Sequence, residues 1–211
     1  MIRKTLLTLT LLWMQAAALQ AQVTLTERAV ARTDFELVAA DCAAVCYDAA
    51  DASVVETAAG LFAADVARVT GREIPVVAGQ EFPAKTRCAV IVGTIGQSRW
   101  IDELIAAKKI DVSAVEGGWE RYAIRLVDRP GHGVRKALVI AGSDRRGTAY
   151  GLLSVSRAIG VSPWYWWADA PVRHRDRLTL RVTDFTSESP SVKYRGIFIN
   201  DEDWGLYRWA K

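Results

Sequence analysis

The sequence predicts an α/β protein in which a mixed sheet is covered by helices. Two observations support this class. After the first 21 residues, short runs typical of strands alternate with runs of helical periodicity, which favours a layered α/β domain over an all-β sandwich. In addition, 51% of the 211 residues are hydrophobic, which is enough to bury a core, so the chain as a whole is not disordered.

The first 21 residues follow the pattern of a secretory signal peptide. Arg3 and Lys4 precede an apolar run from Leu6 to Leu12, and small residues lead to Ala21, an order typical of a cleaved leader. Polar residues interrupt this stretch, whereas a membrane-spanning helix needs roughly 20 continuous apolar residues. We therefore expect cleavage near Ala21, a periplasmic or secreted location and no membrane anchor.

The charge balance gives no reason to expect a nucleic-acid partner. When Arg3 and Lys4 are removed with the leader, the 27 basic residues fall to 25 against 24 acidic ones, which leaves a net charge of +1. Binding to nucleic acid depends on an excess of basic side chains. No such partner is expected.

The chain has three cysteines, Cys42, Cys46 and Cys88. They are too few for a disulfide scaffold, and in an oxidising compartment one stays unpaired. Cys42 and Cys46 could be joined, but buried free thiols fit the pattern better. His132 and His174 form no cluster with zinc-ligand spacing and are interpreted as surface or loop residues. No metal and no cofactor are expected.

An N-terminal α/β accessory domain is predicted over residues 22–160. Apolar spacing and capping residues predict three helices, which are Ser53–Val69 ending at Gly71, Ser98 to about Lys108, and one that is capped by Ser143 or Asp144 and ends at Gly160. Strands are predicted at Phe35–Ala39, Ala44–Tyr47, Ile74–Ala78, Ala89–Val92, Tyr122–Val127 and Ala137–Ala141, the last two joined by a turn at Arg129–Gly133.

Residues 161–193 are rich in Trp, Pro, Arg and Ser and are interpreted as a connector between domains, with one strand at Leu178–Val182. A new element is predicted next. Residues 194–199 form a continuous apolar run, typical of a strand that is buried on both faces of a parallel sheet. The roughly 18 residues from here to Lys211 cannot form a domain of their own. The chain is therefore expected to be the N-terminal fragment of a longer protein.

The first candidate site is the polar cluster that follows this strand, Asn200, Asp201, Glu202 and Asp203. In (β/α)8 barrels the active site is built at the carboxyl ends of the strands, which is where this cluster lies. A solvated loop in which Asp201 or Asp203 caps a helix explains the cluster equally well. The residues alone leave both interpretations open.

The second candidate is the aromatic run Trp164, Tyr165, Trp166 and Trp167. Flat aromatic side chains suit the apolar faces of sugar rings. Large aromatic residues at a junction between domains more often pack one domain on the other, and this interpretation is favoured.

The third candidate is the loop from Gly142 to Thr148, between a predicted strand and a predicted helix. Its spacing is similar to that of a phosphate-binding loop, but the lysine that would reach the phosphates is absent, so nucleotide binding is rejected. A tight turn with a capped helix remains, at which Arg145 and Arg146 could attract an anion such as a uronate. The partial dinucleotide pattern at residues 93–96 is likewise interpreted as a turn.

Three segments of the chain resemble glycoside hydrolase family 115 in their amino-acid sequence and in their order along the chain. They lie in roughly the last third of the chain and are AGSDRRGTAYG at 141–151, IGVSPWYWWADAPV at 159–172 and YRGIFINDE at 194–202. The resemblance implies that the α/β accessory domain is followed by a catalytic (β/α)8 barrel, of which the chain contains only the first strand, from residue 194.

The resemblance also implies a xylan α-1,2-glucuronidase activity. Members of this family remove glucuronic acid or its 4-O-methyl ether from glucuronoxylan or its oligosaccharides, with inversion and without a metal. Asp201 matches the acidic position at the end of the first barrel strand and is the expected catalytic residue. Asn200, Glu202 and Trp204 are its expected substrate-binding neighbours. Formation of a homodimer is left open.

An inverting mechanism requires two carboxyl groups, roughly 6.5–9.5 Å apart, on opposite faces of the sugar. Adjacent residues at one strand end do not meet that requirement. The general acid is therefore expected on a later strand that is absent from this chain, and the fragment alone is expected to be inactive.

Two other functions stay open on the sequence. A β-hexosaminidase-like glycosidase also has an α/β domain before its barrel, and paired acidic residues on a later strand would favour it. A non-catalytic carbohydrate-binding or scaffolding protein would instead be complete at Lys211.

Overall fold

The computed structural model describes residues 23–27, 31–79, 81–83, 86–165, 168–196 and 198. The predicted leader therefore lies outside the described residues. The strands are β1 Val23–Leu25, β2 Asp34–Val38, β3 Ala44–Tyr47, β4 Val76–Ala78, β5 Cys88–Thr94, β6 Tyr122–Gly131, β7 Val134–Gly142, β8 Leu178–Val182 and β9 Phe185–Thr186. The helices are α1 Ser53–Thr70, α2 Arg99–Ala106 and α3 Arg145–Ala158.

A six-stranded mixed sheet has the order β4-β3-β5-β7-β6-β9. β4, β3, β5 and β7 run parallel, whereas β6 and β9 are antiparallel to their neighbours. Helix α1 returns the chain from β3 to its parallel neighbour β4, as a crossover connection requires. The predicted α/β class with a mixed sheet is confirmed.

Both faces of the large sheet are covered, which explains the continuous apolar sequences of its central strands. Helices α1 and α3 cover one face through Phe62 and Leu152, and α2 covers the other through Trp100 and Ile101. All four side chains are at most 5% exposed. Within the described part of the chain, no helix is both long and apolar enough to cross a membrane.

A second sheet, with the antiparallel order β1-β8-β2, packs against the same core as α1 and α3. Leu178 and Leu180 of β8 are fully buried there. Asp34 of β2 accepts a hydrogen bond from Nε of Arg181 at 3.0 Å, and this contact lowers the pKa of the Asp34 carboxyl. The segment predicted as a connector thus supplies the central strand of this sheet, and its strand β9 extends the large one.

Most predicted elements are found within two residues of their expected ends. Helix α1 ends at Gly71, whose φ of 69° is the left-handed conformation that glycine adopts readily. The hairpin of β6 and β7 is longer than predicted, because the chain reverses at only two residues, His132 and Gly133. Both have positive φ, 52° and 79°, which matches the twist of the two strands.

The strand predicted over residues 194–199 is not formed by those of its residues that the structure describes. Residues 194–196 and 198 have no strand conformation, and Tyr194 and Phe198 are 88% and 90% exposed. A strand of a parallel sheet needs hydrogen-bonded neighbours and helices over both faces. No strand in the described part of the chain pairs with this segment. The start of a barrel at residue 194 stays a prediction.

Candidate functional site

The predicted catalytic and substrate-binding residues, Asn200, Asp201, Glu202 and Trp204, lie outside the described residues. The structure does describe the segment that leads to them, up to Gly196, and the contacts that hold it. We call these contacts the Glu120 cluster, which consists of Trp119, Glu120, Arg146, Tyr150 and Arg195.

Glu120 binds two guanidinium groups at once. Its Oε1 atom lies 2.7 Å from Nη1 of Arg146, and its Oε2 atom contacts Nη2 of Arg195. The side chain of Glu120 is only 5% exposed, and that of Arg195 is 33% exposed. The hydrogen bond from Arg195, followed by that from Arg146, lowers the pKa of Glu120 against the opposing effect of burial. The carboxylate therefore stays charged at neutral pH.

The backbone at Glu120 has an uncommon conformation for a residue with a side chain. Its φ is 53°, in the left-handed region that residues other than glycine rarely adopt. The N–H group of Glu120 donates to Oδ2 of Asp144 at 2.6 Å, which stabilises this conformation. Such local strain persists only where the surrounding structure supports it, and it is often found at functional sites.

Asp144 connects this turn to helix α3. Its Oδ1 atom accepts hydrogen bonds from the N–H groups of Arg146 at 2.9 Å and Gly147 at 2.8 Å, so Asp144 is the N-cap of the helix. Ser143, the other predicted cap, instead accepts a hydrogen bond from the N–H of Arg121 at 2.9 Å. Arg146, which was expected to attract an anion, binds the carboxylate of the chain's own Glu120.

Arg195 is held by aromatic rings as well as by the carboxylate. Its guanidinium carbon lies 5.7 Å from the centre of the Trp119 ring and 5.8 Å from that of Tyr150. It also donates a hydrogen bond to the Tyr150 hydroxyl at 3.2 Å. A planar guanidinium fixed by an ion pair and by cation–π contacts has little freedom to reorient. The chain is thus anchored six residues before Asp201.

The glycine spacing that is similar to a phosphate-binding loop serves helix packing. A Cβ atom on Gly142 would lie 2.2 Å from the backbone nitrogen of Thr148, and one on Gly147 would lie 2.1 Å from the carbonyl oxygen of Arg121. Both glycines therefore allow α3 to approach the sheet closely. The Asp144 carboxylate occupies the free N–H groups that a phosphate would need.

The crevice in which open α/β sheets bind ligands lies where the strand order reverses, at the carboxyl ends of β3 and β5. Oδ2 of Asp51 accepts the N–H of Thr94 here at 2.7 Å. Oδ2 of Asp48 accepts the N–H of Arg99, at the start of α2, at 2.9 Å. The chain's own carboxylates therefore occupy the donors that an anionic ligand would use, in agreement with a simple turn at residues 93–96.

The two described residues of the aromatic run, Trp164 and Tyr165, differ in their exposure. Trp164 is 63% exposed. Tyr165 packs against the core and lies under the guanidinium group of Arg68, at 4.9 Å. Trp166 and Trp167 lie outside the described residues. Tyr165 therefore packs within the described domain and Trp164 is exposed to solvent, while packing of one domain on another stays a prediction.

Titratable residues elsewhere in the described part of the chain form no metal site. In the described ranges, no group of three or more His, Cys, Asp and Glu side chains could hold a metal ion. His132 and His174 are half-exposed or more and lie 3.4 Å and 3.3 Å from Glu103 and Asp176. The three cysteines are free thiols.

Sequence reasoning missed Glu120, Trp119 and Arg195. The glycine pair before Trp119 marks a sharp turn, since Gly117 has a φ of 72°, and this pair is the one local signal for the cluster. The partners of Glu120, Arg146 and Arg195, lie 26 and 75 residues away in the chain, so nothing in the neighbourhood of Glu120 indicates these ion pairs.

A family model and a solved structure that match this chain both name the same family. A family model described as glycosyl hydrolase family 115 matches residues 187–211. A solved structure, described as BtGH115A, a novel family GH115 4-O-methyl-α-glucuronidase with specificity for decorated arabinogalactans, is 38% identical with a TM-score of 0.65. The match covers 83% of this chain and 21% of that chain.

A second solved structure, CpGH84D, is 9% identical with a TM-score of 0.44, over 76% of this chain and 22% of that one. A likeness at this level supports no inference. No curated protein matches the chain.

Proposed function

The chain belongs to glycoside hydrolase family 115, and we propose that it is the N-terminal part of an exported glycoside hydrolase. The whole enzyme would release glucuronic acid or 4-O-methylglucuronic acid from glucuronoxylan by an inverting mechanism. The similarity to the solved 4-O-methyl-α-glucuronidase is the observation that supports this proposal. This chain spans 21% of the length of that structure, so the activity, substrates and partners of the whole protein all belong to the proposal.

In this proposal the α/β domain supports the start of the catalytic barrel. Arg195 lies at the beginning of the segment that resembles the first barrel strand, and Glu120 binds it directly. The opposite charges, the low exposure of Glu120 and the two aromatic rings hold this segment to the α/β domain. The Glu120 cluster would thereby fix the position of the segment that leads to the polar residues after the strand.

Asp201 would supply one of the two carboxyl groups that inversion requires, either to protonate the leaving oxygen or to activate water. Asn200 and Glu202 would bind sugar hydroxyl groups, and Trp204 would stack on the ring. The second carboxyl group would come from a later strand, because neighbouring residues cannot flank one sugar at the required separation. The fragment alone would then release no uronic acid.

Decorated arabinogalactan is a second candidate for the polymeric substrate. The solved relative is described as specific for decorated arabinogalactans, whereas the motif resemblance implies glucuronoxylan. The sugar removed would be the same in both cases, and the attached backbone would differ.

The proposal is tested on the protein encoded by the gene extended past Lys211, incubated with each polymer separately. Anion-exchange chromatography should detect free uronic acid from one or both, and proton NMR should show a product anomer opposite to that of the linkage. Release of a hexosamine would favour the β-hexosaminidase-like alternative. A genuine stop codon after Lys211, with sugar binding and no hydrolysis, would favour the non-catalytic one.

Replacing Asp201 by Ala in the extended enzyme is expected to reduce kcat by about 10²- to 10⁴-fold or more, the usual contribution of a general acid or base. Uronic acid release measures the change. Asp176→Ala is the matched control, because the side chain of Asp176 is 97% exposed, and it should leave the rate unchanged. Unchanged turnover in Asp201→Ala would remove Asp201 from the active site.

A further inference from the structure

The three free thiols differ in how far they are exposed. Cys46, in the middle of β3, is 1% exposed, and burial raises the pKa of its thiol to about 12. Such a thiol is inert at neutral pH, because the thiolate is the reactive form. Cys42 and Cys88 are half-buried at the edge of the core, where a reagent in solution can reach them.

Cys42 and Cys88 lie at the same end of two neighbouring strands. β3 and β5 pair in parallel with Ala44 beside Ala89, so Cys88 comes one residue and Cys42 two residues before this pair. Parallel strands are about 4.8 Å apart and rise about 3.3 Å per residue. A disulfide requires Cα atoms about 4.4–6.8 Å apart, and a shared position at one end of two adjacent strands is compatible with that range.

The two side chains also contact the same core. Strict alternation along β3 would turn Cys42 away from Cys88, but Cys42 precedes the strand and forms an isolated bridge with Val38. Both cysteines pack against the same core cluster, and both line one cavity of about 270 Å³.

Charged side chains line much of the cavity. Besides the two cysteines, its lining includes three basic side chains, Arg87, Arg135 and Arg177, and two acidic ones, Glu36 and Asp41. The local charge is therefore positive. Glutathione disulfide carries several carboxylates and is attracted by such a surface.

We propose that Cys42 and Cys88 form a reversible disulfide under oxidising conditions. The thiolate of one cysteine attacks glutathione disulfide, which gives a mixed disulfide and releases one glutathione. The thiolate of the second cysteine then displaces the other glutathione. Each cysteine loses one hydrogen, and the oxidant is reduced to two thiols. The bond ties the turn after β2 to the start of β5 and so links the small sheet to the large one.

The full chain is incubated with glutathione disulfide and then with reduced glutathione. Oxidation should lower the free-thiol count from three to one and the intact mass by two hydrogen atoms. Proteolytic digestion should give one peptide pair joined through Cys42 and Cys88. The Tm should rise by about 5–10 °C, because the bond restricts the unfolded chain, and reduction should reverse the shift.

Matched variants separate this bond from the alternatives. Cys42→Ser and Cys88→Ser should each abolish the cross-link while circular dichroism stays unchanged, and Cys46→Ala should retain it. A cross-link between Cys42 and Cys46 would overturn the proposal. Three thiols that persist under oxidant, or that end only as glutathione adducts, would overturn it as well. Peptide mapping of the oxidised chain without substitutions gives a result even if a variant fails to fold.

Discussion

Glu120 and Arg195 form the contact that joins the α/β domain to the segment of the predicted active site. At the scale of single residues, each feature of this contact has a local cause. The left-handed backbone of Glu120 is supported by Asp144, and Asp144 is fixed because it caps α3. Arg195 is positioned by Glu120 and by its contacts with the rings of Trp119 and Tyr150.

Glu120→Gln is expected to destabilise the domain at neutral pH and to matter less in acid. The folded-state pKa of Glu120 is lowered from its ordinary value of 4.5. Its charge therefore contributes stability that is fully present above the unfolded pKa and is lost as the pH falls through the folded pKa. Chemical denaturation of both proteins at pH 7, and at several values below 4.5, checks this expectation.

Glu116→Gln is the matched control, because Glu116 is an exposed carboxylate four residues earlier. It should change the free energy of unfolding by less than about 0.5 kcal/mol at every pH. A difference between Glu120→Gln and the parent chain that stays constant from neutral to acid pH would show that the ion pairs contribute nothing.

At the scale of elements, local signals predicted much of the fold, because helix periodicity, caps and turn glycines act over a few residues. The ends of α1 at Gly71 and of β3 at Tyr47 are found where the sequence indicates. The strands β1 and β9, of three and two residues, are too short to give a periodic signal. They exist only because a longer strand pairs with each of them.

Gly147→Ala is expected to destabilise the fold by about 1–3 kcal/mol or more, because its Cβ would lie 2.1 Å from the backbone oxygen of Arg121. Gly60→Ala in α1 is the control: it meets nothing within 4 Å and should stabilise the helix by about 0.5–1 kcal/mol. Thermal denaturation measures both. Equal stability of the two variants would show that α3 does not need its close approach to the sheet.

In the whole molecule, the two sheets share one core. The early strand β2 and the late strand β8 both contribute side chains to it. Phe35 of β2 and Leu180 of β8 are both fully buried in this core. The pairing of β8 with β1 and β2 gives the predicted domain end at residue 160 a measurable consequence.

Residues 22–160 alone are expected to lack a cooperative unfolding transition, whereas residues 22–193 should have one. Removal of β8 leaves β1 and β2 without their shared partner and exposes Phe35 and Leu37 to water. Thermal melts followed by circular dichroism compare the two chains. A cooperative melt of residues 22–160 at the same temperature would establish that residues 161–193 are a true connector.

The α/β class, the helices, most strands and the family to which the chain belongs could be predicted from the sequence, because they depend on local periodicity and on contiguous motifs. Three features could be found only in the folded chain: β8 is a central strand, Glu120 binds Arg195, and Cys42 packs against the same core as Cys88. Each of these pairings joins residues far apart in the chain. Such contacts depend on how packed elements bring distant side chains together, which no local propensity encodes.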